Sequence, residues 1–240
     1  MVPKDFQVTN SSLRLVITGA AGALGRATAQ HFLDRGARVA LVDRSADHLA
    51  SAFPGFDGAR HLLVAADVVS AASMQDAAER VIQAFGEVDA LVHIAGGFEM
   101  GEPVHALSRA AWDRMMDLNA WSFVAVGQAF VPSMVRRKTG RVVAVTAKSA
   151  ARGAAEMSAY IASKSALQRL VESMAAEVGP HGITVNSIAP STLDTPANRQ
   201  AMPNADPAQW VSTTIAAQTI GFLVSGAAAA LHGQHLSLDA

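Results

Sequence analysis

The chain's single tyrosine, Tyr160, precedes Lys164 by one helical turn in a segment of helical period. Residues four apart on a helix share a face. A free phenol titrates near 10 and a free ammonium at about 10.4. An ammonium held beside a phenol favours the phenolate and draws it toward the working range of a general acid/base. Ala159, Ala162 and Ser163 are small enough to let a flat ligand approach this face. Alone, such a pair is an ordinary surface pairing. Its meaning here comes from the elements that must position it.

The opening of the chain, LRLVITGAAGALGRATAQHFLDRGARVALVD over residues 13–43, reads as strand, glycine-rich turn, helix and second strand. Gly19 supplies a tight turn, Gly22 a position without Cβ, and Gly25 close packing of helix on strand. The helix then starts at Ala23 and Leu24, where free backbone N–H groups face a dinucleotide pyrophosphate. Asp43 ends the second strand about 20 residues on, where a carboxylate accepts hydrogen bonds from a ribose 2′-OH. A glycine-rich turn in some other parallel-sheet protein is the bland alternative. The flanking strand, helix and acid favour a dinucleotide site.

The remaining chain alternates in the same rhythm. Helices are expected at Ala46–Phe53, Ser70–Phe85, Ser108–Lys138 (interrupted near Asn119), Ser158–Val178 and Thr213–Ser225. Strands are expected at His61–Ala66, Val88–Ile94, Val142–Thr146, Ile183–Ile188 and His235–Leu238. This alternation predicts an α/β fold: a Rossmann-type doubly wound parallel sheet, three layers, in a single domain over residues 13–240 after a lead-in at 1–12. Such sheets bind ligands beyond the carboxyl ends of their strands. Gly19–Gly25, Asp43, Asp67, Gly96, Thr146 and Pro190 all fall there. Residues 190–210 carry four prolines and little periodicity, and are expected to be a long loop serving as a substrate lid.

Composition narrows the partners. The 240 residues are 50% hydrophobic and 16% charged, with formal net charge −1 and no cysteine. Nothing in that balance calls for nucleic acid or an anionic membrane, and no apolar run approaches a membrane span. Zinc–thiolate and thiol chemistry are excluded, and the histidines show no metal-ligand spacing, so no metal is expected. A cytoplasmic protein acting on a small molecule is the expectation. His93, at the end of a buried strand, reads as a satisfied interior histidine more than as a catalyst.

The ordered motifs TGAAGALG (18–25), Asp43, AADV (65–68), IAGG (94–97), Asn119, YIASK (160–164) and NSIAPSTLDT (186–195) closely resemble the short-chain dehydrogenase/reductase family over nearly the whole chain. The resemblance implies an oxidoreductase that moves a hydride between a nicotinamide and a carbonyl or alcohol. It implies that Gly19 and Gly25 frame the pyrophosphate and that Asp67 and Val68 hold the adenine, with Ala95 and Gly96 beside the cofactor. It implies that Asp43 prefers NAD(H), since a 2′-phosphate would meet like charge there, while Arg44 leaves room for NADP(H). By the same resemblance Lys164 grips the nicotinamide ribose and tunes Tyr160, Tyr160 exchanges the proton, and Asn119 supports a relay water. Pro190, Leu193 and Thr195 would lie against the nicotinamide carboxamide. A homo-oligomer, tetramer or dimer, packed through the two long helices is also implied.

Three features depart from the family pattern. Ala23 replaces the middle glycine, His93-Ile94 replaces an Asn-Asn pair, and Ala147 stands where the catalytic serine is expected. Thr146 is the adjacent candidate hydroxyl, although in a regular strand it points to the opposite face. Ser149 has the right parity but lies beyond the strand end. GALG, AGG followed by Phe98, and Ala-Lys-x-Ala at 147–150 resemble the quinonoid dihydropteridine reductase branch, which works with Tyr and Lys but without the serine. A quinonoid dihydropterin reductase and a dinucleotide-binding protein without turnover are therefore the alternatives to a carbonyl/alcohol oxidoreductase.

Overall fold

The computed structural model describes residues 13–55, 58 and 60–240, so the expected lead-in at 1–12 lies outside the described residues. In chain order the main elements are β1 (Arg14–Thr18), α1 (Ala23–Leu33), β2 (Arg38–Asp43), α2 (Ala46–Ala52), β3 (His61–Ala65), α3 (Ala71–Phe85), β4 (Ala90–His93), α4 (Arg109–Met116), α5 (Ser122–Arg137), β5 (Gly140–Val145), α6 (Ser158–Val178), β6 (Ile183–Pro190), β7 (Leu193–Asp194), α7 (Pro196–Ala201), β8 (Val211–Ser212), α8 (Thr213–Val224) and β9 (His235–Leu238). Seven strands form one parallel sheet in the order β3-β2-β1-β4-β5-β6-β9. The order reverses between β1 and β4, which opens a crevice at their carboxyl ends.

Alternation along the strands sends side chains to two separate cores. Val16, Val42 and Leu91 enter one core with Met74 and Phe85 of α3, Phe130 of α5 and Leu167 of α6. Leu15, Ile17 and Leu41 enter the other with Phe32 of α1, Leu49 of α2 and Ile220 of α8. This is the expected three-layer doubly wound sheet.

Two segments differ from the sequence expectation in an informative way. The interruption near Asn119 is a π-helical turn, Asp117–Trp121, joining α4 to α5 in one continuous helical stretch. That stretch, Arg109–Arg137, is long and apolar enough in composition to cross a membrane, contrary to the reading of the sequence, and is largely packed within the protein. Residues 190–210 are not a structureless loop: β7 and β8 pair as a small parallel ribbon around α7. Two of the prolines that suggested a loop start helical turns instead, Pro196 at α7 and Pro207 at the short turn Pro207–Gln209. Proline suits a first helical position, where no N–H is required.

Candidate active site

The nucleotide end is built on the start of α1. Gly19 adopts φ +68°, and a Cβ there would lie 2.7 Å from the Ala95 nitrogen. A Cβ on Gly25 would overlap the Gly19 carbonyl, so the helix meets the turn only through glycine. Gly22 is the N-cap of α1 and offers no side-chain hydrogen bond. By contrast, α2, α3, α4, α7 and α8 are each capped by their own serine or threonine. The N–H groups of Ala23 and Leu24 therefore begin the helix without a capping side chain, and no acid stands in its first turn. That is a cradle for an anion such as a pyrophosphate.

Asp43 closes this end. Its carboxylate accepts from the Ala21 N–H at 3.0 Å and the Arg44 N–H at 2.8 Å, which fixes its orientation and leaves lone pairs for ribose hydroxyls. The cleft beside it is lined by Gly22, Arg26, Asp43, His48 and Ser51. At the end of β3, the Asp67 N–H donates to Ser73 Oγ at 3.0 Å and the Asp67 carboxylate accepts from Val69 N–H at 3.1 Å. These bonds shape the Asp67–Val68 turn at the carboxyl end of β3.

The reacting end lies over β4, β5 and α6. Lys164 is buried and donates from Nζ to the Val145 carbonyl at 3.0 Å. Asn119, in the π turn, donates to the Gly97 carbonyl and to Ser163 Oγ, each at 3.0 Å, and accepts from the Gly97 N–H at 2.9 Å. Both side chains pass under Gly96, where a Cβ would stand 2.8 Å from Asn119 Oδ1 and 3.0 Å from Lys164 Nζ. Tyr160, on the same helix, meets the ring of Phe98 edge-on at 4.9 Å. The Ser149 hydroxyl is near enough to influence the acidity of its phenol. Ser149 belongs to the short 3-10 turn Lys148–Ala151 that follows Ala147.

Burial dominates the electrostatics. The Tyr160 phenol is pushed above its ordinary value by burial, with the Ser149 hydrogen bond pulling the other way. Lys164 is pushed down to about 8 by desolvation. The expectation that the ammonium brings the phenol down is therefore corrected for the ligand-free protein. Desolvation of a phenolate outweighs a cation whose Nζ is engaged at Val145. His93 is held near 3 by full burial, with Lys164 adding repulsion. Its ring nitrogens meet Thr18 Oγ1 at 2.9 Å and Ser122 Oγ at 3.1 Å. Since Ser122 Oγ donates to the Leu118 carbonyl, it accepts from His93 Nε2–H, and Nδ1 accepts from Thr18. His93 is a satisfied, neutral interior residue.

A family model described as short chain dehydrogenase matches residues 14–206. The chain belongs to the short-chain dehydrogenase/reductase family. It is an oxidoreductase built on a pyridine-nucleotide-binding fold. It is 33% identical over 248 residues to D-threitol dehydrogenase of Mycolicibacterium smegmatis, covering 98% of this chain and 94% of that protein. It is likewise 33% identical over 234 residues to cis-4-hydroxycyclohexanecarboxylate dehydrogenase of Sinomonas cyclohexanicum, covering 93% and 94%. Among solved structures, levodione reductase superposes with a TM-score of 0.85 at 25% identity, covering 95% of this chain and 96% of that one.

Within this short-chain dehydrogenase/reductase frame, one sequence candidate is removed. Thr146 Oγ1 donates to the Ile188 carbonyl at 3.0 Å and lies 3.3 Å from Ser187 Oγ, on the β6 side of the strand. Strand alternation turns it away from Tyr160, so it is not the hydroxyl that replaces the one absent at Ala147. The lid residues stand at the strand ends but are tied into local structure: Pro190 ends β6 in register with Leu238, the Leu193 carbonyl accepts from Asn198 Nδ2 at 2.8 Å, and Thr195 caps α7. Arg26 and His48, beside Asp43, and Phe98, on Tyr160, were not singled out from sequence for these roles. Helical spacing after Gly22 was a usable signal for Arg26. The position of Phe98 depends on a loop path that no periodicity encodes. A serine–histidine–carboxylate line also exists, Ser187 Oγ to His235 Nδ1 at 2.6 Å and His235 Nε2 to Glu172 at 2.8 Å. Ser187 is fully buried, so this line joins β6, β9 and α6 and is not open to a substrate. Among the described residues no three His, Asp or Glu side chains gather to hold a metal ion.

Proposed function

We propose that this enzyme interconverts a secondary alcohol and its ketone with a nicotinamide cofactor, NAD(H) in preference to NADP(H), and that Tyr160 exchanges the proton. When bound, the nicotinamide supplies or removes the hydride. The reading is carried by one observation: a half-buried phenol stands on the helix that also holds Lys164, and Lys164 and Asn119 of the π turn lie together beneath the Gly96 backbone, at the carboxyl ends of the strands flanking the crevice. In reduction Tyr160 gives its proton to the substrate oxygen, and in oxidation it takes the proton back. Lys164, at about 8, keeps its proton at neutral pH and would donate to the ribose hydroxyls of the cofactor. The Asn119 side chain is fully engaged in tying the Gly97 loop to α6. On this reading Asn119 is a positioning residue.

Phe98, on Tyr160, is an exposed apolar side chain, and Met100 and Val104 farther along the same loop are exposed too, which suits a substrate whose non-reacting part is apolar. The relatives acting on D-threitol and on a hydroxycyclohexane carboxylate bracket a polar and an alicyclic secondary alcohol, and we place this enzyme nearer the alicyclic end. The dihydropterin reading rests on the sequence motifs alone, GALG, AGG followed by Phe98 and Ala-Lys-x-Ala at 147–150, and is kept as the alternative. We further propose a homo-oligomer, dimer or tetramer, formed through α5 and α6, to be measured by light scattering.

The test is spectrophotometric. The protein is supplied with NAD⁺ or NADP⁺ and D-threitol, cyclohexanol or cis-4-hydroxycyclohexanecarboxylate, and with NADH against cyclohexanone and quinonoid dihydropterin. Turnover of an alicyclic alcohol or ketone, faster with NAD(H), is expected. Tight NADH binding with no turnover of any of these would overturn the reading in favour of a non-catalytic binder. Reduction of the pterin alone would overturn it in favour of the reductase branch.

A further inference from the structure

At the amino ends of β5 and β6, far from the crevice, stands a cation without a counter-charge. Arg141 is the second residue of β5 and lies in register with Thr184 of β6. Arg141 has the strand parity of Val143, which enters the core beneath α8 with Ile220 and Leu223. Register places Thr184 on that same face, so the two side chains are neighbours. Thr184 is 8% exposed, and its Oγ1 is buried without a hydrogen-bond partner. Arg141 is half-buried, and its Nε is likewise buried without a partner. Among the described residues its guanidinium makes one hydrogen bond, from Nη1 to the adjoining Gly140 carbonyl at 2.8 Å.

The sequence of the covering elements explains why the guanidinium stays unpaired. Helix α8, TTIAAQTIGFLV, and residues 225–234, SGAAAALHGQ, contain no acid. Helix α1, on the same face, contains none either. Asp89, just before β4, has the opposite parity and is taken by Arg14 and Arg137. Among the described residues no carboxylate pairs with Arg141. Burial pushes its guanidinium below the ordinary value, with no partner opposing that. The next polar side chain on this face of β6 behaves differently. Asn186 Nδ2 donates to the Leu231 carbonyl at 2.9 Å, and its Oδ1 accepts from the Gln234 N–H at 3.0 Å. Polar groups are thus matched at Asn186 and unmatched at Thr184 and Arg141. Buried polar groups are as a rule partnered, and an unmatched pair around a charge points to a bound ion.

We propose that Arg141 and Thr184 form a binding site for a small oxyanion, the phosphate or carboxylate group of a soluble molecule. With Nη1 held by Gly140, the free donors of Arg141 are Nε and Nη2. These two lie side by side and match two oxygens of one carboxylate or phosphate. The Thr184 hydroxyl adds a third donor from the adjacent strand. A water could satisfy either atom singly, but it would leave the buried charge without its complement. Arg141 keeps part of its surface, which gives the ion an approach from solvent. The site is distinct from the glycine cradle on α1, which lies at the carboxyl ends of the strands. An ion held here ties the foot of β5 to β6, while the other end of β5 offers the Val145 carbonyl to Lys164.

The test is a Tm titration with sodium phosphate against sodium chloride of equal ionic strength at pH 7. Phosphate can also enter the glycine cradle, so the new site is read from the difference between parent and variant. A ligand at tenfold excess over its Kd raises Tm by ~3–6 °C in a domain of this size. Arg141→Gln is expected to remove at least half of the phosphate-specific rise, and Thr184→Val a smaller part. An equal rise with sodium acetate would support a site for oxyanions in general, and a rise with phosphate alone a site for tetrahedral ones. No rise beyond that with chloride, or a full parental rise in Arg141→Gln, would overturn the proposal. Should Arg141→Gln fail to fold, crystals of the parent grown with selenate decide the matter. Anomalous density against Arg141 and Thr184 is expected, and its absence there would overturn the proposal.

Discussion

Lys164 costs the folded protein stability in order to be where it is. Its ordinary value is 10.5 and its folded value about 8, with burial the cause. Below pH 8 both folded and unfolded chains carry the proton, and the folded one bears the full desolvation cost. Between pH 8 and 10.5 the unfolded chain binds more protons, so stability rises with pH. Tyr160, shifted upward, acts in the opposite sense once pH passes its ordinary 10, so the clean window lies between pH 8 and about 9.5. Each pKa unit corresponds to ~1.4 kcal/mol. Lys164→Met is therefore expected to stabilise the ligand-free protein by about 2 kcal/mol at pH 7, part of the gain being offset by the lost bond to Val145, while abolishing turnover. Urea unfolding at pH 7 and 9.5 checks this: the variant's advantage should shrink at the higher pH, and parallel behaviour of parent and variant would refute it. On the proposed role of Tyr160 in proton transfer, Tyr160→Phe should lower kcat by ~10²–10⁴-fold with cofactor affinity intact. The placement of Tyr160 and Lys164 on one helix was legible because residue type and helical spacing are properties of the sequence itself. The sign of the phenol's shift was not, because desolvation depends on what covers the ring, and Phe98 and Ser149 come from distant loops.

The helices and strands were legible for a related reason: period-two and helical patterns are local, and the glycine turn is a steric demand that few residues meet. The path after each strand is decided by turn geometry, and there the sequence was silent. The prolines at 196 and 207 read as loop markers until Thr195 and Asp206 are seen capping the turns that follow them. Gly96 shows what such a path controls. The loop after β4 crosses over Asn119 and Lys164 so closely that Gly96→Ala must push one of them aside. The expected result is a folded protein, unchanged in circular dichroism, with kcat lowered at least tenfold. A fully active Gly96→Ala enzyme would show that the loop yields without disturbing either side chain. His93 fastens the same loop from below, joining Thr18 of β1 to Ser122 of α5. His93→Ala leaves a cavity and two hydroxyls short of a partner, so it should cost about 3 kcal/mol in chemical denaturation. A loss under 1 kcal/mol would mean that the two hydroxyls find each other or water.

At the scale of the whole molecule, cofactor binding and folding draw on one balance. A ligand that binds only the folded state stabilises it by about 2.7 kcal/mol at a hundredfold excess over its Kd. For a domain of this length each kcal/mol moves Tm by ~2–4 °C, so a shift of ~5–10 °C is expected with NADH. The charges around the ribose end then decide how NADPH compares. Asp43 is fixed by two backbone N–H groups and cannot turn away from a 2′-phosphate, whereas Arg26 and His48 reach the same cleft on flexible side chains. An immobile carboxylate pays no rotamer entropy to repel, while an arginine must be ordered to attract. The larger Tm shift should therefore come from NADH, with NADPH giving less than half of it at equal concentration. Asp43→Asn should narrow that gap by raising the NADPH shift, and Arg26→Gln in the same background should widen it again. Equal shifts for the two cofactors in the parent protein would mean that the cationic rim, and not Asp43, governs the choice of nucleotide.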